Sequence, residues 1–187
     1  MPRILFLLAA LLIAGAILAR GWYGKRILIG YGGRRGRVNV EVWRGVFGEE
    51  PKALPAEATA EEHGRALREA ALERWHRDDP PAARAREAAR RFGLGVPPFT
   101  LVAVVFAVMV AKLAIFTGLA VVMAATALAT MFGLVSIGSE LKAVAVACRI
   151  ARERHLFPRR EDEDAVIACA EAEVWMQALP PILRWVS

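Results

Sequence analysis

The residue of this chain with the clearest chemical potential is Lys112, the single charged side chain in the apolar run 99–138. An ammonium group in hydrocarbon costs several kcal/mol unless it reaches the interface or pairs with an anion. It is therefore either an ion, proton or headgroup contact inside a helical bundle, or a lysine at a turn or interface. Glu140, at the far end of the run, is a weaker companion that we expect at an interface.

The other residue types that bind metals or act as nucleophiles are scattered along the chain: His63, His76, His155, Cys148 and Cys169. None of them falls in a metal-ligand spacing or a nucleophile motif. The glycines at 30, 32 and 33 join two β-prone runs and do not open a helix, so a phosphate loop is disfavoured. We predict no catalytic residue, metal or cofactor, and two reduced, packed cysteines.

Arginine supplies most of the formal charge of +6, and it is unevenly placed. Residues 20–98 hold 16 basic and 11 acidic side chains. Basic clusters at 20–37, 84–91 and 149–160 could each contact anionic lipid headgroups at about 1 kcal/mol per near-surface charge. No nucleic-acid-binding fold or aromatic platform accompanies them, so nucleic acid is not an expected partner.

Two apolar segments, 4–19 and 99–138, must position these groups. Forty helical residues would span about 60 Å, roughly twice the hydrocarbon thickness, so the longer segment is expected to double back. We favour a turn at Thr117-Gly118, with Lys112 as the alternative turn. A turn at Lys112 would leave Phe99–Ala111 too short to cross. A hairpin also places both basic flanks on one side, as the positive-inside rule favours.

The first apolar segment is predicted to be a transmembrane anchor with its N-terminus outside the cytoplasm. Dense basic residues follow it, and Trp22 and Tyr23 lie where an interfacial aromatic belt belongs. The alternative is a cleaved signal peptide, because Ala14-Gly15-Ala16 supplies a small-x-small site behind a short apolar core.

The predicted fold class is a mainly α integral membrane protein with five regions. They are an N-terminal transmembrane anchor (1–24), a β-hairpin (25–48), a linker with a soluble helical hairpin (49–97), a transmembrane helical hairpin (98–138) and C-terminal cytoplasmic helices (139–187). The β-hairpin rests on the β-prone runs 26–31 and 37–43. The helical hairpin begins at a capping box formed by Thr59 and Glu62 and ends at Gly93.

Small residues at helical spacing predict close helix packing. They are Ala125, Ala129, Gly133 and Ser136 in the second apolar segment, and Ala10 and Ala14 in the first. Four tryptophans in otherwise thin soluble cores are predicted to be exposed and to dock partners: Trp43, Trp75, Trp175 and Trp185.

These features favour a non-catalytic accessory or assembly subunit of a bacterial inner-membrane protein complex. Its expected partners are other membrane protein subunits and anionic lipids, with the loop and the C-terminus in the cytoplasm. One alternative is a transport or channel component that uses Lys112 along a polar path. Another is a membrane-shaping hairpin protein that binds anionic lipid.

Overall fold

The computed structural model describes residues 2–48, 57–177, 179–180 and 183. It is mostly helical (85%), as predicted, and it contains a small two-stranded sheet. The elements in chain order are α1 (Pro2–Arg20), a π-helix (Gly21–Lys25), α2 (Arg26–Tyr31), β1 (Arg35–Arg37), α3 (Val40–Phe47), β2 (Glu57–Thr59), α4 (Ala60–Asp78), α5 (Pro80–Val110), α6 (Ile115–Glu153) and α7 (Arg160–Met176). Within the described residues, three helical stretches are long and apolar enough to cross a membrane: Arg3–Tyr31, Pro80–Val110 and Ile115–Glu153.

The chain divides into two compact units. The apolar unit contains α1, α5 from Ala85 onwards and α6 up to Ser136. The polar unit contains the described residues of Gly21–Arg84 and Ile137–Gln177. Each helix of the α5–α6 pair therefore contributes one part to each unit.

The polar unit is organised around the contact of α4 with α7. Gly64 is buried on α4, and a Cβ atom there would lie 2.8 Å from the backbone nitrogen of Ala170 on α7. Leu67 of α4 and Val166 of α7 are fully buried. A glycine is needed at position 64 because any side chain would force the two helix backbones apart.

The region predicted to be a β-hairpin is largely helical, so that prediction is wrong. Residues 26–31 form α2 and residues 40–47 form α3, while the sheet pairs Arg35–Arg37 with Glu57–Thr59 in antiparallel register. Alternating valines suit a strand, but Trp43 and Phe47 also recur at the i, i+4 spacing of a helix, and both are buried. The Asn39 side chain caps this helix by accepting a hydrogen bond from the Val42 amide.

The soluble helical hairpin is confirmed at its start and wrong at its end. The predicted capping box is present, because Thr59 and Glu62 exchange hydrogen bonds between side chain and backbone. The second helix does not end at Gly93 but continues to Val110 through Pro97 and Pro98. The two prolines remove two backbone donors. Such interruptions are tolerated where neighbouring groups and local adjustment accommodate them, and Pro97 is fully buried.

A buried ion pair joins distant parts of the polar unit. Arg68 of α4 donates from Nε to the Glu140 carboxylate of α6 at 2.7 Å. The side chains are only 4% and 7% exposed, respectively. Arg68 also donates to the amide oxygen of Gln177 at 3.2 Å. A charge buried this deeply is tolerated because its partner and further hydrogen bonds replace water.

Removing one member of this pair should destabilise the polar unit strongly. We expect Glu140→Gln to lower the free energy of unfolding by about 3–5 kcal/mol, because it leaves the Arg68 charge buried without its anion. The double variant Arg68→Met/Glu140→Met should recover most of that loss. Chemical unfolding of the purified protein measures both, and a Glu140→Gln variant as stable as the parent would contradict the assignment.

Candidate functional site

A strongly exposed apolar surface of the described chain lies on α5. Phe99 is 76% exposed, Phe106 67% and Met109 79%. Val102 and Val110 continue this surface. Soluble monomers rarely leave apolar patches of this kind in contact with water. This surface, called here the α5 face, is compatible with lipid or another protein as its neighbour.

Internal contacts fix the helix directions within the apolar unit. Phe6, near the start of α1, contacts Phe116, near the start of α6, with ring centroids 6.0 Å apart. Further along both helices, Ile13 packs in a cluster with Ala127. Phe92 of α5 meets Phe132 of α6 at 5.2 Å, whereas Gly118 of α6 lies against the later residue Val104. Hence α1 runs parallel to α6, and α5 runs antiparallel to it.

The small residues predicted on α6 lie mainly on its packed side. Ala129 is 1% exposed, and Ala125 and Gly133 are half-buried. The Ser136 hydroxyl donates to the Gly133 carbonyl at 2.7 Å, which satisfies a side chain that would otherwise need a partner. Thr130 is fully buried and donates to the Thr126 carbonyl in the same way.

On α1 the packed side differs from the predicted one. Ala10 is half-buried and Ala14 is exposed, while Ala9, Ile13 and Ala16 are buried. The helix is apolar on every side, so its sequence carries little information about which side faces a neighbour. Contact with α6 selects the face of Ile13.

The predicted turn position in the long apolar run is wrong. The break between α5 and α6 lies at Ala111–Ala114, and Lys112 is exposed there with a left-handed backbone (φ 53°). Gly118 belongs to α6 and is buried. A Cβ atom at 118 would lie 2.7 Å from Cγ1 of Val104, so this glycine allows the two helices to approach. The turn lies instead at Lys112, which is the predicted alternative. The helix before this turn is not short, because α5 begins at Pro80 and not at Phe99.

The four tryptophans do not form one exposed docking set. Trp43 is 1% exposed and packs on Phe47, so the prediction that it is exposed is wrong. Trp75 and Trp175 are half-buried, and Trp175 stacks on Tyr23 with ring centroids 5.0 Å apart. Trp185 lies outside the described residues.

His63 is a fully buried titratable group of the polar unit. Its Nε2 lies 3.2 Å from the Gly36 carbonyl oxygen, its ring meets Phe157 edge-on, and its Nδ1 has no hydrogen-bond partner among the described residues. Burial lowers the pKa of His63, although the Gly36 carbonyl and the carboxylates of Glu62 and Asp162 oppose this. The side chain is therefore a neutral packing group at pH 7.

Side chains that could bind a metal are dispersed in the described part of the chain. No three histidine, cysteine or acidic side chains converge there on a possible metal position. Burial raises the pKa of the Cys169 thiol to about 11, which suppresses the reactive thiolate.

Comparisons with protein-family models, with curated proteins and with solved structures found no match for this chain.

Replacement of Gly118 should loosen the contact between α5 and α6. We expect Gly118→Val to lower the thermal unfolding temperature of the purified protein, because the stiff side chain of Val104 occupies the space that a new Cβ needs. Gly15→Val is the matched control, since a Cβ at position 15 meets nothing within 4 Å. Equal effects of the two substitutions would show that position 118 is not a close contact.

The polar unit should lose stability in mild acid because of His63. Above a pH of about 6.5 both states carry a neutral imidazole. As the pH falls below that value, the unfolded chain binds a proton that the folded state, with its lowered pKa, does not. The free energy of unfolding then falls by at most about 1.4 kcal/mol per pH unit until the folded-state pKa is passed.

Measurement of the free energy of unfolding between pH 7.5 and 5 tests this expected loss of stability. His63→Gln, which keeps a donor for the Gly36 carbonyl, should flatten the pH dependence. His76→Gln, at an exposed position of the same helix, should leave it unchanged. A parental slope that survives His63→Gln would assign the effect to another group.

Proposed function

We propose that this protein is a non-catalytic accessory or assembly subunit of a bacterial inner-membrane protein complex. The observation that carries the proposal is the α5 face, a row of large apolar side chains that the described chain leaves uncovered. Lipid can cover part of it. A helix of another subunit, packed against the same face, would give the protein a role in assembly without any reaction of its own.

The two chain segments that form the polar unit support one membrane crossing by α5 and one by α6. Both Gly21–Arg84 and Ile137–Gln177 contribute to that one unit. A bilayer that holds α5 and α6 must therefore be crossed an even number of times between Arg84 and Ile137. The 31 residues of α5 would extend about 46 Å, which exceeds a hydrocarbon thickness of about 30 Å. One crossing per helix meets both conditions.

The charge distribution supports a cytoplasmic polar unit. Lys112 is the single basic residue between Arg91 and Lys142, and it lies in the turn between the two helices. Since α1 runs parallel to α6, its start would share the side of that turn, where Arg3 adds one charge. The arginine-rich polar unit would occupy the other side, which the positive-inside rule assigns to the cytoplasm.

Lipid contact is part of the same proposal. The exposed basic residues from Lys25 to Arg37 follow α1 closely, and each could attract an anionic headgroup by about 1 kcal/mol. The exposed position of Lys112 in a turn gives no support to a polar path between spans. The lengths of α5 and α6 favour crossing helices over a wedge confined to one leaflet.

Accessibility of single introduced cysteines tests the topology. In intact cells, Lys112→Cys should react with a membrane-impermeant maleimide added outside. Gly33→Cys is the matched control, because residue 33 is exposed in the polar unit and a Cβ there meets nothing within 4 Å. It should react only after permeabilisation. Labelling of both positions from the same side would exclude the two crossings.

Photo-crosslinking tests the assembly role. A benzophenone amino acid in place of Phe106 should give a discrete adduct with one or a few other membrane proteins, because this position lies on the α5 face. The same probe at Phe157, which is 3% exposed, should give no intermolecular adduct. Adducts to lipid alone at Phe106, together with a monomeric chain after gentle extraction, would contradict a subunit role.

A further inference from the structure

The residues that follow α1 present aromatic and basic side chains at the surface of the polar unit. Trp22 and Tyr23 of the π-helix are 62% and 50% exposed, and Arg26 of α2 is exposed as well. Gly24, by contrast, is buried against α7, where a Cβ atom would lie 3.0 Å from Sδ of Met176. Packing on α7 therefore fixes this stretch and leaves its aromatic and basic side chains open.

The guanidinium group of Arg26 is held over the Trp22 indole ring. Its Cζ lies 4.4 Å from the ring centroid, which is a cation–π distance. No ion pair joins Arg26 to another described residue. The ring attracts the cation but carries no net charge, so the positive charge of Arg26 remains available to an anion. The indole thus positions a cation without neutralising it.

The aromatic rings lie where the chain passes between its two units. The 19 residues of α1 extend about 28 Å, close to a hydrocarbon thickness of about 30 Å, and Trp22 follows two residues after that helix. Tyr23 stacks on Trp175 of α7 with ring centroids 5.0 Å apart, and the chain leaves the polar unit two residues later, after Gln177. Rings from distant parts of the sequence therefore meet at the level where an interfacial aromatic belt belongs.

The charge of this stretch is complementary to an anionic headgroup. Residues 21–31 contain Lys25 and Arg26 and no acidic side chain. The headgroup layer of a bilayer presents phosphate oxygens, to which a planar guanidinium donates two parallel hydrogen bonds. The cytoplasmic leaflet also carries a net negative charge. A zwitterionic headgroup offers the same phosphate, but its own cation opposes the charge of Arg26.

We propose that Trp22, Tyr23 and Arg26 form a binding surface for the headgroup of an anionic phospholipid in the surrounding bilayer. Arg26 binds the phosphate, and the two aromatic rings contact the glycerol and ester region beside it. The proposal rests on the membrane location proposed above, and it does not depend on the subunit role. It gives the end of α1 and the end of α7 a common lipid contact.

Thermal unfolding of the full chain in a neutral detergent tests this surface, since a ligand that binds the folded state raises its stability. The probes are short-chain phosphatidylglycerol and, as the zwitterionic reference, short-chain phosphatidylcholine. The test variants are Arg26→Gln, Trp22→Leu and the double variant. The control is Arg160→Gln, which removes the same charge from an exposed position at the other end of α7 from Trp175.

Phosphatidylglycerol should raise the unfolding temperature of the parent and of the control more than phosphatidylcholine does. Arg26→Gln should weaken the apparent affinity for phosphatidylglycerol roughly fivefold, the equivalent of about 1 kcal/mol for one near-surface charge. Without lipid it should unfold like the parent, because the side chain is exposed. Trp22→Leu should also weaken the affinity. The double variant should lose less than the product of the two single losses, because the ring acts through the cation that it positions.

Equal affinity of the parent for both lipids, or equal losses in Arg26→Gln and Arg160→Gln, would overturn the proposal. An Arg26→Gln chain that keeps the lipid preference but no longer co-purifies with another membrane protein would also overturn it, since the surface would then dock a protein. Recovery of the parent from cell extracts without detergent would contradict the membrane location itself, and this surface with it.

Discussion

The structure depends on the packing of two distant chain segments into one polar unit. Residues of α4, which precede the α5–α6 pair in the chain, contact residues of α7 and of the C-terminal part of α6. The close approach at Gly64 and the buried Arg68–Glu140 pair hold them together. Because the chain leaves this unit on α5 and returns to it on α6, those helices must form a hairpin.

Buried carboxylates in the polar unit form ion pairs with arginines of neighbouring elements. Glu140, Glu163 and Glu173 are all buried, and arginines from other elements pair with each of them: Arg68, Arg152 and Arg65. Acidic side chains are thus used in the interior, where they need a cation. The other described arginines of the polar unit lie at its surface, exposed or partly exposed.

Glycine has one physical role at three sites of this fold. Gly36, Gly64 and Gly118 each lie where a Cβ atom would come within 3.3 Å of a neighbouring element. They allow a strand to approach α7, α4 to approach α7 and α6 to approach α5. Glycine is most often associated with turns, because it adopts positive φ without strain. At these positions the absence of a side chain matters instead, and Gly118 accordingly lies inside α6 and not in a turn.

The sequence by itself determined those features that depend on local chemistry. Length and apolar composition identified the long helices, and the Thr59–Glu62 capping box marked the start of α4. Only the tertiary structure decided the features that depend on neighbours. The valine-rich segment became α3 because Trp43 and Phe47 are buried together, and α1 presents Ile13 because α6 lies against that face. A uniformly apolar helix has no preferred side until another helix packs on it, and an alternating segment suits either a strand or a helix until a core selects one.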